Sequence, residues 1–440
     1  MRILYLTGGA GKMYCGSCLR DNALATELLR RGHDVTLLPV YTPTLTDETN
    51  VSQSKVFFGG ISVYLEQYVP LFRSTPAWLD RLWDSKSMLR LASRGSISTS
   101  PKMLGEMTVS MLRGVQGFQR KEIEKLIDWL KQEKPFDVIS LPYTLLLGLA
   151  KPLKEALRRP ILCTLQGEDL FLEGLLEPYK TEALDLIRAN REHVDLFLSV
   201  SEYYERFMQT YLGIPAERLT VVPLGIRLDG YERRNGKAQN SPYTVGYFAR
   251  VAPEKGLHVL ARAYEHLRKN AAFPPARLEV AGYLAREHQS YLARIENQMK
   301  AAGLASEFSY RGVLNREEKI SFLRSLDLLS VPATYNEPKG LFLLEAMACA
   351  VPVVQPRRGA FTEIVEKTGG GLLVEPDDHN ALGEGILRLA NDPAFAHRLG
   401  ESGYVKVREH YNVGQMADRA LAAYDAVQTI KTQQSASIYR

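Results

Sequence analysis

Short apolar runs that alternate with helical patterns constrain the fold of this chain more than any other feature. The first run, Ile3–Thr7, suits a strand that is buried on both faces. The helical pattern Leu19–Arg31 follows it and stops at Gly32, a residue type that commonly ends helices. Such alternation predicts an α/β fold built from βαβ units on a parallel sheet. Further strands are predicted at Val35–Tyr41, Val138–Leu141, Ile161–Leu165, Leu196–Val200 and Thr220–Val222.

A polar, turn-rich stretch at residues 230–242, GYERRNGKAQNSP, interrupts this alternation and predicts a linker. The 440 residues are enough for two domains. We predict one doubly wound domain over 1–232, a second over 243–412, and a last helix and tail over 413–440. Strands of the second domain are predicted at Thr244–Phe248, Arg277–Ala281, Phe308–Tyr310, Leu328–Val331 and Val351–Val354.

The region from about residue 57 to 134 lacks a clear strand pattern, which predicts a helical insertion in the first domain. It combines tryptophans and methionines, including Trp78, Trp83 and Met88, with many lysines and arginines. Three interpretations fit this composition: helices that pack an apolar face inward, a cover for an acceptor molecule, and a surface for an acidic membrane.

Composition limits the class of protein. Four cysteines make no disulfide framework, and the N-terminal apolar run is too short for a signal peptide. We therefore predict a cytoplasmic protein, either free or at the inner face of the membrane. Cys15 and Cys18 form a CxxC pair without a second ligand pair nearby, which favours a loop over a metal site. The net charge of +5 is mild, and no nucleic-acid-binding pattern occurs, so we predict small anionic ligands and no nucleic acid as partner.

The loop after Tyr247 gathers groups that attract phosphate. Arg250 follows a predicted strand, Lys255 comes five residues later, and Gly256 opens a predicted helix. A guanidinium, an ammonium and a helix N-terminus all favour a doubly charged phosphate group. A solvated loop with two ordinary basic residues is the alternative.

Two glutamates mark the stretch TYNEPKGLFLLEAMA. Glu337 falls in a predicted loop, whereas Glu345 falls inside a predicted helix among leucine, alanine and methionine. A carboxylate can accept hydrogen bonds from the paired hydroxyls of a ribose or hexose. The backbone amides at the helix start between them can receive phosphate oxygens. This order suits a sugar nucleotide; the alternative is a surface glutamate and a glutamate favoured by the helix dipole.

These elements resemble the retaining glycosyltransferases of family 4. The two glutamates, with seven residues between them, match the family's E-x7-E motif, and the basic pair stands in register with its Arg-x4-Lys element. The resemblance is nearly chain-long, is weakest over 50–135, and implies a GT-B fold of two Rossmann-like domains that face a central cleft. Further stretches that resemble the family are LRRGHDVTLL (Leu29–Leu38), VVPLGIRLDGY (Val221–Tyr231), LEVAGY (Leu278–Tyr283) and RGAFTEIVEKTGGGLLVEPDD (Arg358–Asp378).

The resemblance implies a role for each matched residue. Arg250 and Lys255 would neutralise the diphosphate of the donor, which is the leaving group. Glu337 would bind hydroxyls of the transferred sugar near the reacting carbon, which makes these three the catalytic candidates. Glu345 would hold the nucleotide ribose.

Further donor contacts are implied at two glycine-containing turns. The backbone amides of Gly340, Leu341 and Phe342 would contact the diphosphate. Gly16 is the predicted equivalent of a glycine pair that precedes the first helix in the family and lets the ligand approach closely. Among nearby basic residues, Lys12 and Arg20 could touch an anionic acceptor or be solvated.

The chain departs from the family pattern after the strand Ile161–Leu165. Gln166 stands where members carry histidine, and its amide can exchange hydrogen bonds but cannot shuttle a proton. It is interpreted as a sugar contact or as part of a plain turn. Asp169 or Glu168 could orient an acceptor hydroxyl, or serve as an acid at a helix start. Lys339 replaces an aromatic residue and could add charge near the donor or point to water.

The reaction implied is metal-independent hexosyl transfer, with retention, from a UDP-, GDP- or ADP-linked sugar to a hydroxyl of a glycan, lipid or small molecule. The same-face mechanism commonly described for the family needs no cofactor and no protein nucleophile. Two alternatives stay open: a sugar-nucleotide-binding protein without activity, and a GT-B-fold epimerase.

Overall fold

The protein is described here from a computed structural model over residues 1–9, 14–58, 66–68, 101–233 and 241–438, with side chains to residue 429. The chain divides into two compact units. Unit 1 contains Met1–Val200, Tyr204–Pro223 and the chain from Ala417 onward, and unit 2 contains Ser201–Tyr203 and Leu224–Met416. Each unit is built on a six-stranded parallel sheet. This is the α/β fold of two doubly wound, Rossmann-like domains that the sequence predicts.

The sheet of unit 1 is buried along most of its length, because its strands are apolar on both faces. Its strands in chain order are β1 (Arg2–Thr7), β2 (Asp34–Pro39), β3 (Val138–Leu141), β4 (Ile161–Leu165), β5 (Leu196–Ser199) and β6 (Leu219–Val221). In space they follow the order β2-β1-β3-β4-β5-β6. The chain therefore changes direction across the sheet between β1 and β3.

Amphipathic helices cover this sheet. In the segment RKEIEKLIDWLKQ, for example, Ile123, Leu126 and Leu130 recur at helical spacing and are buried. The described helices up to residue 212 include α1 (Gly16–Arg30), α2 (Pro101–Leu112), α3 (Arg120–Gln132), α4 (Ala150–Leu157), α5 (Asp169–Glu173), α6 (Tyr179–Asn190) and α7 (Glu202–Leu212).

Unit 2 repeats the architecture with a different strand order. Its strands are β7 (Tyr243–Phe248), β8 (Ala276–Ala281), β9 (Phe308–Tyr310), β10 (Leu328–Leu329), β11 (Val353–Pro356) and β12 (Gly371–Val374). They follow the order β12-β11-β10-β7-β8-β9, so the direction changes between β7 and β10. The remaining helices are α8 (Leu257–Arg268), α9 (Gln289–Ala301), α10 (Arg316–Arg324), α11 (Leu341–Ala348), α12 (Ala360–Thr368), α13 (His379–Asn391), α14 (Pro393–His410) and α15 (Val413–Ile438).

Every described strand except β12, at one sheet edge, overlaps a predicted strand. The structure contains the three strands β3, β4 and β9 with the predicted bounds. Strand β12 was not predicted, because it begins with the last glycine of a glycine run, and glycine weakens a strand pattern.

The described part of the predicted insertion is helical and includes α2 and α3. Residues 59–65 and 69–100, which include Trp78, Trp83 and Met88, lie outside the described residues. Contact of this region with an acceptor or a membrane therefore stays a prediction. Within the described chain, none of the helices combines the length and the apolar character needed to cross a lipid bilayer.

The boundary between the units lies after Pro223, upstream of the predicted domain end at 232. The segment after Pro223 belongs to unit 2 because its backbone is bonded there. Ile226 forms a bridge with Asn412, and Arg316 Nη2 donates to the carbonyl of Asp229 at 2.9 Å. Local polarity marks the stretch as a loop but does not reveal which unit binds it.

The last helix, α15, contributes to unit 1 from Ala417 onward. The side chain of Tyr424 is fully buried, and Asp418 Oδ1 pairs with Arg31 Nη1 at 2.5 Å. The sequence left open which domain this helix joins.

Candidate functional site

The carboxyl ends of β7 and β10 meet at the point where the strand order of unit 2 reverses. The two strands pair in parallel, with Leu328 beside Val245 and Leu329 beside Gly246, so their carboxyl ends share one edge of the sheet. Ligands of doubly wound sheets bind at this kind of position. The loops that leave it carry the cationic pair on one side and the first glutamate on the other.

Lys255 and Glu337 meet in this place although 82 residues separate them in the chain. The Nζ of Lys255 donates to Glu337 Oε2 and, at 2.7 Å, to the hydroxyl of Tyr335. That hydroxyl in turn donates to Glu337 Oε2. The side chains of Lys255 and Glu337 are 11% and 4% exposed, so the pair is almost sealed from water. An ammonium, a phenol and a carboxylate thus form one closed hydrogen-bonded set.

The electrostatics of this set favour an ionised carboxylate. Burial by itself would raise the pKa of Glu337, but the Lys255 ammonium and the hydrogen bonds from Lys255 and Tyr335 lower it to about 2. Burial and the neighbouring carboxylate raise the pKa of Tyr335 well above its ordinary value. At neutral pH Glu337 is therefore an acceptor for hydroxyls and Tyr335 keeps its proton.

Glu345 lies on α11 among buried apolar residues, as the sequence predicts, and has its own pair of donors. Lys319 Nζ donates to Glu345 Oε1 at 2.6 Å, and the hydroxyl of Tyr231 donates to the same oxygen at 3.0 Å. All three residues are buried. Each glutamate of the pair is thus held by one lysine and one tyrosine.

Glycines begin both helices that leave this edge of the sheet. Gly256 and Gly340 precede α8 and α11 with φ of 74°, a left-handed conformation that side chains disfavour. A Cβ on Gly256 would lie 1.8 Å from the carbonyl oxygen of Pro332, so this position admits glycine alone. No side chain caps α11, and the amides of Leu341 and Phe342 are the first of that helix, where no intrahelical acceptor exists.

Arg250 lies in the same loop as Lys255 but is exposed. Its Nη2 pairs with Glu254 at 3.1 Å, and its side chain is 43% exposed. Its backbone carbonyl accepts a bond from the Tyr247 hydroxyl at 3.0 Å, which fixes the loop rather than the guanidinium.

Lys339, the other basic residue near this site, contacts Glu337 through its backbone. Its backbone amide donates to Glu337 Oε1 at 3.3 Å.

Unit 1 brings a different set of polar groups to the carboxyl end of β4. Gln166 is buried, and its Nε2 donates to the carbonyl of Pro142 at 2.7 Å, whereas its Oε1 has no hydrogen-bond partner among the residues that the structure describes. Glu168 accepts bonds from the amides of Thr144 and Gln166 at 3.1 and 2.8 Å, and burial raises its pKa. The hydroxyl of Tyr204 donates to Asp169 at 2.7 Å. This set thus combines two carboxylates with an amide and a phenol.

The first helix of unit 1 holds the remaining predicted positions. Gly16 is the first residue of α1, directly after Cys15. The hydrogen bond to Cys15 and burial raise the pKa of Cys18 well above its ordinary value, so this thiol is inert at neutral pH. Among the described residues, no three histidine, cysteine, aspartate or glutamate side chains are grouped as metal ligands would be. Lys12 lies outside the described residues.

The solvated interpretation of Arg20 is wrong. The residue is 2% exposed, and its Nη1 donates to the Tyr5 hydroxyl at 2.5 Å and to Asp21 Oδ1 at 3.1 Å. Its burial depends on the strand and helix that enclose it.

Three residues of this site were not predicted from the sequence: Tyr335, Lys319 and Tyr231. For Lys319 a signal existed, because it shares the buried face of α10 with Phe322 and Leu323, where a lysine needs a partner. No comparable local signal marked the two tyrosines.

Two family models match this chain. Residues 231–406 match glycosyl transferases group 1, and residues 110–229 match Glycosyltransferase Family 4, so the two together cover about two thirds of the chain. The crystal structure of Anabaena Alr3699/HepE in complex with UDP shares the fold, with a TM-score of 0.67 at 17% identity over 97% of this chain and 100% of that chain.

The chain has the fold of the GT-B glycosyltransferases.

Two proteins that are similar in sequence are named for lipopolysaccharide core biosynthesis and amylovoran biosynthesis. The chain is 31% identical to the lipopolysaccharide core biosynthesis mannosyltransferase LpcC of Rhizobium leguminosarum bv. viciae over 186 residues, 42% of this chain and 51% of that protein. It is 25% identical to the amylovoran biosynthesis glycosyltransferase AmsK of Erwinia amylovora over 333 residues, 73% of this chain and 79% of that protein. For several curated relatives the match spans between half and two thirds of their length.

Proposed function

We propose that this protein is a glycosyltransferase that moves a hexose, with retention of configuration, from a nucleoside-diphosphate sugar to an acceptor hydroxyl. The observation that carries the proposal is the buried set of Lys255, Tyr335 and Glu337 at the carboxyl ends of β7 and β10. A sugar–phosphate bond that breaks leaves negative charge on the phosphate, and a cation fixed in advance at that point lowers the barrier.

In the proposed step, the bond between the anomeric carbon and the diphosphate oxygen breaks, and the acceptor oxygen bonds to that carbon on the same face. The proton of the acceptor hydroxyl passes to the leaving diphosphate. Lys255 and Arg250 neutralise the diphosphate, and the amides of Gly340, Leu341 and Phe342 bind its oxygens.

The remaining proposed contacts are mostly hydrogen-bond acceptors for hydroxyl groups of the ligands. Ionised Glu337 accepts hydroxyls of the transferred sugar, and Glu345 accepts the hydroxyls of the nucleotide ribose. Gly16 admits the ligand near the start of α1. In unit 1, Gln166 Oε1 and the carboxylate of Asp169 accept hydroxyls of the sugar or acceptor.

Cationic side chains take the place of a metal in this proposal, so we expect no metal requirement and no cofactor. The acceptor is a glycan, a lipid or a small molecule with a free hydroxyl. The donor is linked to UDP, GDP or ADP; a structural neighbour crystallised with UDP makes the first of these the natural starting point.

A thermal-shift panel of UDP-, GDP- and ADP-sugars tests donor binding. A ligand present at a hundred times its Kd stabilises the folded state by about 2.7 kcal/mol. The Glu345→Ala variant should lose most of the shift given by the best donor, and a wild-type shift in it would mean that the site is misassigned.

Turnover of the labelled best donor then separates the proposed transfer from its alternatives. We expect a product with the donor's anomeric configuration, formed equally well with EDTA. A stabilising donor that is never consumed indicates a binding protein, and an epimerised sugar formed without acceptor indicates an epimerase.

A further inference from the structure

The carboxylate of Glu345 is fixed by residues outside the motif that contains it. Two described side chains donate to it, Lys319 Nζ at 2.6 Å and the Tyr231 hydroxyl at 3.0 Å, and both bonds end on Oε1. A carboxylate oxygen has two lone-pair positions, so these donors fill Oε1. Among the described residues none donates to Oε2, which keeps two acceptor positions.

The two donors are themselves held in place. Lys319 is 4% exposed on the buried face of α10, a helix that begins with a capping box formed by Asn315 and Glu318. Its long side chain therefore reaches Glu345 from a fixed element rather than from solvent.

Tyr231 is anchored through both its backbone and its ring. Arg408 Nη2 donates to the Tyr231 carbonyl, and the guanidinium of Arg316 lies 5.3 Å from the centre of the ring. The residue is 2% exposed. A tyrosine held at both ends can fix the plane of the carboxylate that it contacts.

Charge neutralisation alone does not need this arrangement. Lys319 already balances the charge of Glu345, yet a second donor is supplied to the same oxygen. The combined effect is directional, because it leaves Oε2 as the acceptor that a ligand can reach.

We propose that Lys319 and Tyr231 are positioning residues that present Glu345 Oε2 to the two ribose hydroxyls of the nucleotide. This inference rests on the proposed function, since the ribose is that of the nucleoside-diphosphate donor. It predicts that the protein distinguishes ribose from 2′-deoxyribose, and that this preference depends on the two positioning residues.

Titration calorimetry with UDP, GDP and ADP, each beside its 2′-deoxy analogue, measures this preference. For the diphosphate that binds best, we expect wild-type protein to bind the ribose form about tenfold more tightly, as for the loss of one hydrogen bond to a charged acceptor. In Tyr231→Phe the ratio should fall to about threefold or less, because the ring still packs but no longer orients Oε1.

Tyr264→Phe is the matched control. Tyr264 is a buried tyrosine of unit 2 that also donates to a carboxylate, Glu307 Oε2 at 2.6 Å, and Arg268 donates to the same carboxylate at 3.1 Å. It is not among the proposed ligand contacts, so the ratio should stay at its wild-type value. Lys319→Met should lower the ratio further, but it leaves a buried carboxylate unpaired and can unfold the protein, so Tyr231→Phe decides.

The possible results distinguish failure of the positioning role from failure of the proposed function. An unchanged ratio in Tyr231→Phe, or a wild-type protein that binds both forms equally, overturns the positioning role and leaves the proposed function intact. A wild-type protein that binds none of the nucleoside diphosphates overturns both.

Discussion

Each unit contains a buried cluster in which a tyrosine hydroxyl joins a cation to a carboxylate, and the two clusters differ in position. In unit 1, Arg20 donates to Tyr5 and Asp21, and Thr7 donates to the second oxygen of Asp21 at 3.0 Å. Tyr5 lies in the middle of β1, and the side chains of Arg20 and Asp21 are 1% and 0% exposed. This cluster is therefore buried within unit 1, away from solvent.

In unit 2, the same bonding pattern links Lys255, Tyr335 and Glu337. Here the residues come from the loops that follow β7 and β10, and the side chains keep an exposure of 11% for Lys255 and 4% for Glu337. The cluster of unit 1 joins strand β1 to helix α1 in the interior of that unit, whereas the cluster of unit 2 lies at the carboxyl ends of β7 and β10. Similar chemistry therefore has a structural role in one place and a proposed catalytic role in the other.

The largest effect is expected from Arg20→Met. The change leaves Asp21 as a buried carboxylate without its cation, which should lower the free energy of unfolding by about 3–5 kcal/mol. Urea unfolding measures this loss, with Arg30→Met as control, because the Arg30 side chain is 71% exposed and its pairing with Glu27 should contribute less than about 1 kcal/mol. An Arg20→Met protein with wild-type stability and impaired turnover would mean that the cluster of unit 1 serves catalysis rather than the stability of the fold.

Next comes Lys255→Ala, whose main effect should be kinetic. Loss of one preorganised charge at the leaving group should reduce kcat by a factor of about 10² to 10³, measured per folded enzyme with a labelled donor. Lys269→Ala, at a 72% exposed lysine of the same unit, should match the wild type. Equal turnover in the two variants would place the leaving group elsewhere.

Glu337→Gln should change how stability depends on pH. The folded pKa of Glu337, about 2, lies below its ordinary value of 4.5, so its ionisation stabilises the fold above pH 4.5 and this contribution is lost as the pH falls towards 2. The full difference is about 3 kcal/mol. Chemical denaturation from about pH 6 to about pH 3 should show the wild type losing more stability than the variant. Parallel curves would mean that the set does not hold Glu337 ionised.

The smallest effect is expected in unit 1. Gln166→Ala removes the buried, unpartnered Oε1, and loss of one neutral hydrogen bond to a ligand should lower kcat/KM by about 2- to 12-fold. Gln119→Ala is the matched control, because both ends of that buried amide are bonded, to Ser110 at 2.7 Å and to Gln67 at 3.0 Å. A larger kinetic loss for Gln119→Ala than for Gln166→Ala would contradict a ligand contact at Gln166.

The fold was predictable because its signals are local. The run Val138–Leu141 is apolar throughout and became a strand with the same bounds. Gly340 marked the start of α11 for the same kind of reason, since its backbone conformation suits glycine. Strand β12, which begins with the last glycine of a glycine run, offered no such pattern and was missed.

The candidate site was predictable in its charges but not in its partners. The motif residues Glu337 and Glu345 stand out in the sequence as carboxylates at unusual places. That Tyr231 and Lys319 bind the second of them depends on contacts across 114 and 26 residues of chain. No periodicity or spacing encodes a pairing of that kind.

The sequence by itself determined the strand and helix alternation, the glycines that precede α8 and α11 and the identity of the charged groups, because each depends on neighbouring residues or backbone conformation. The tertiary structure alone decided that Lys255 meets Glu337, that Lys319 meets Glu345, and that Arg20 is buried. The physical reason is that the energy of a buried charge depends on which partner packs against it, and distant segments supply that partner only when the sheet has formed.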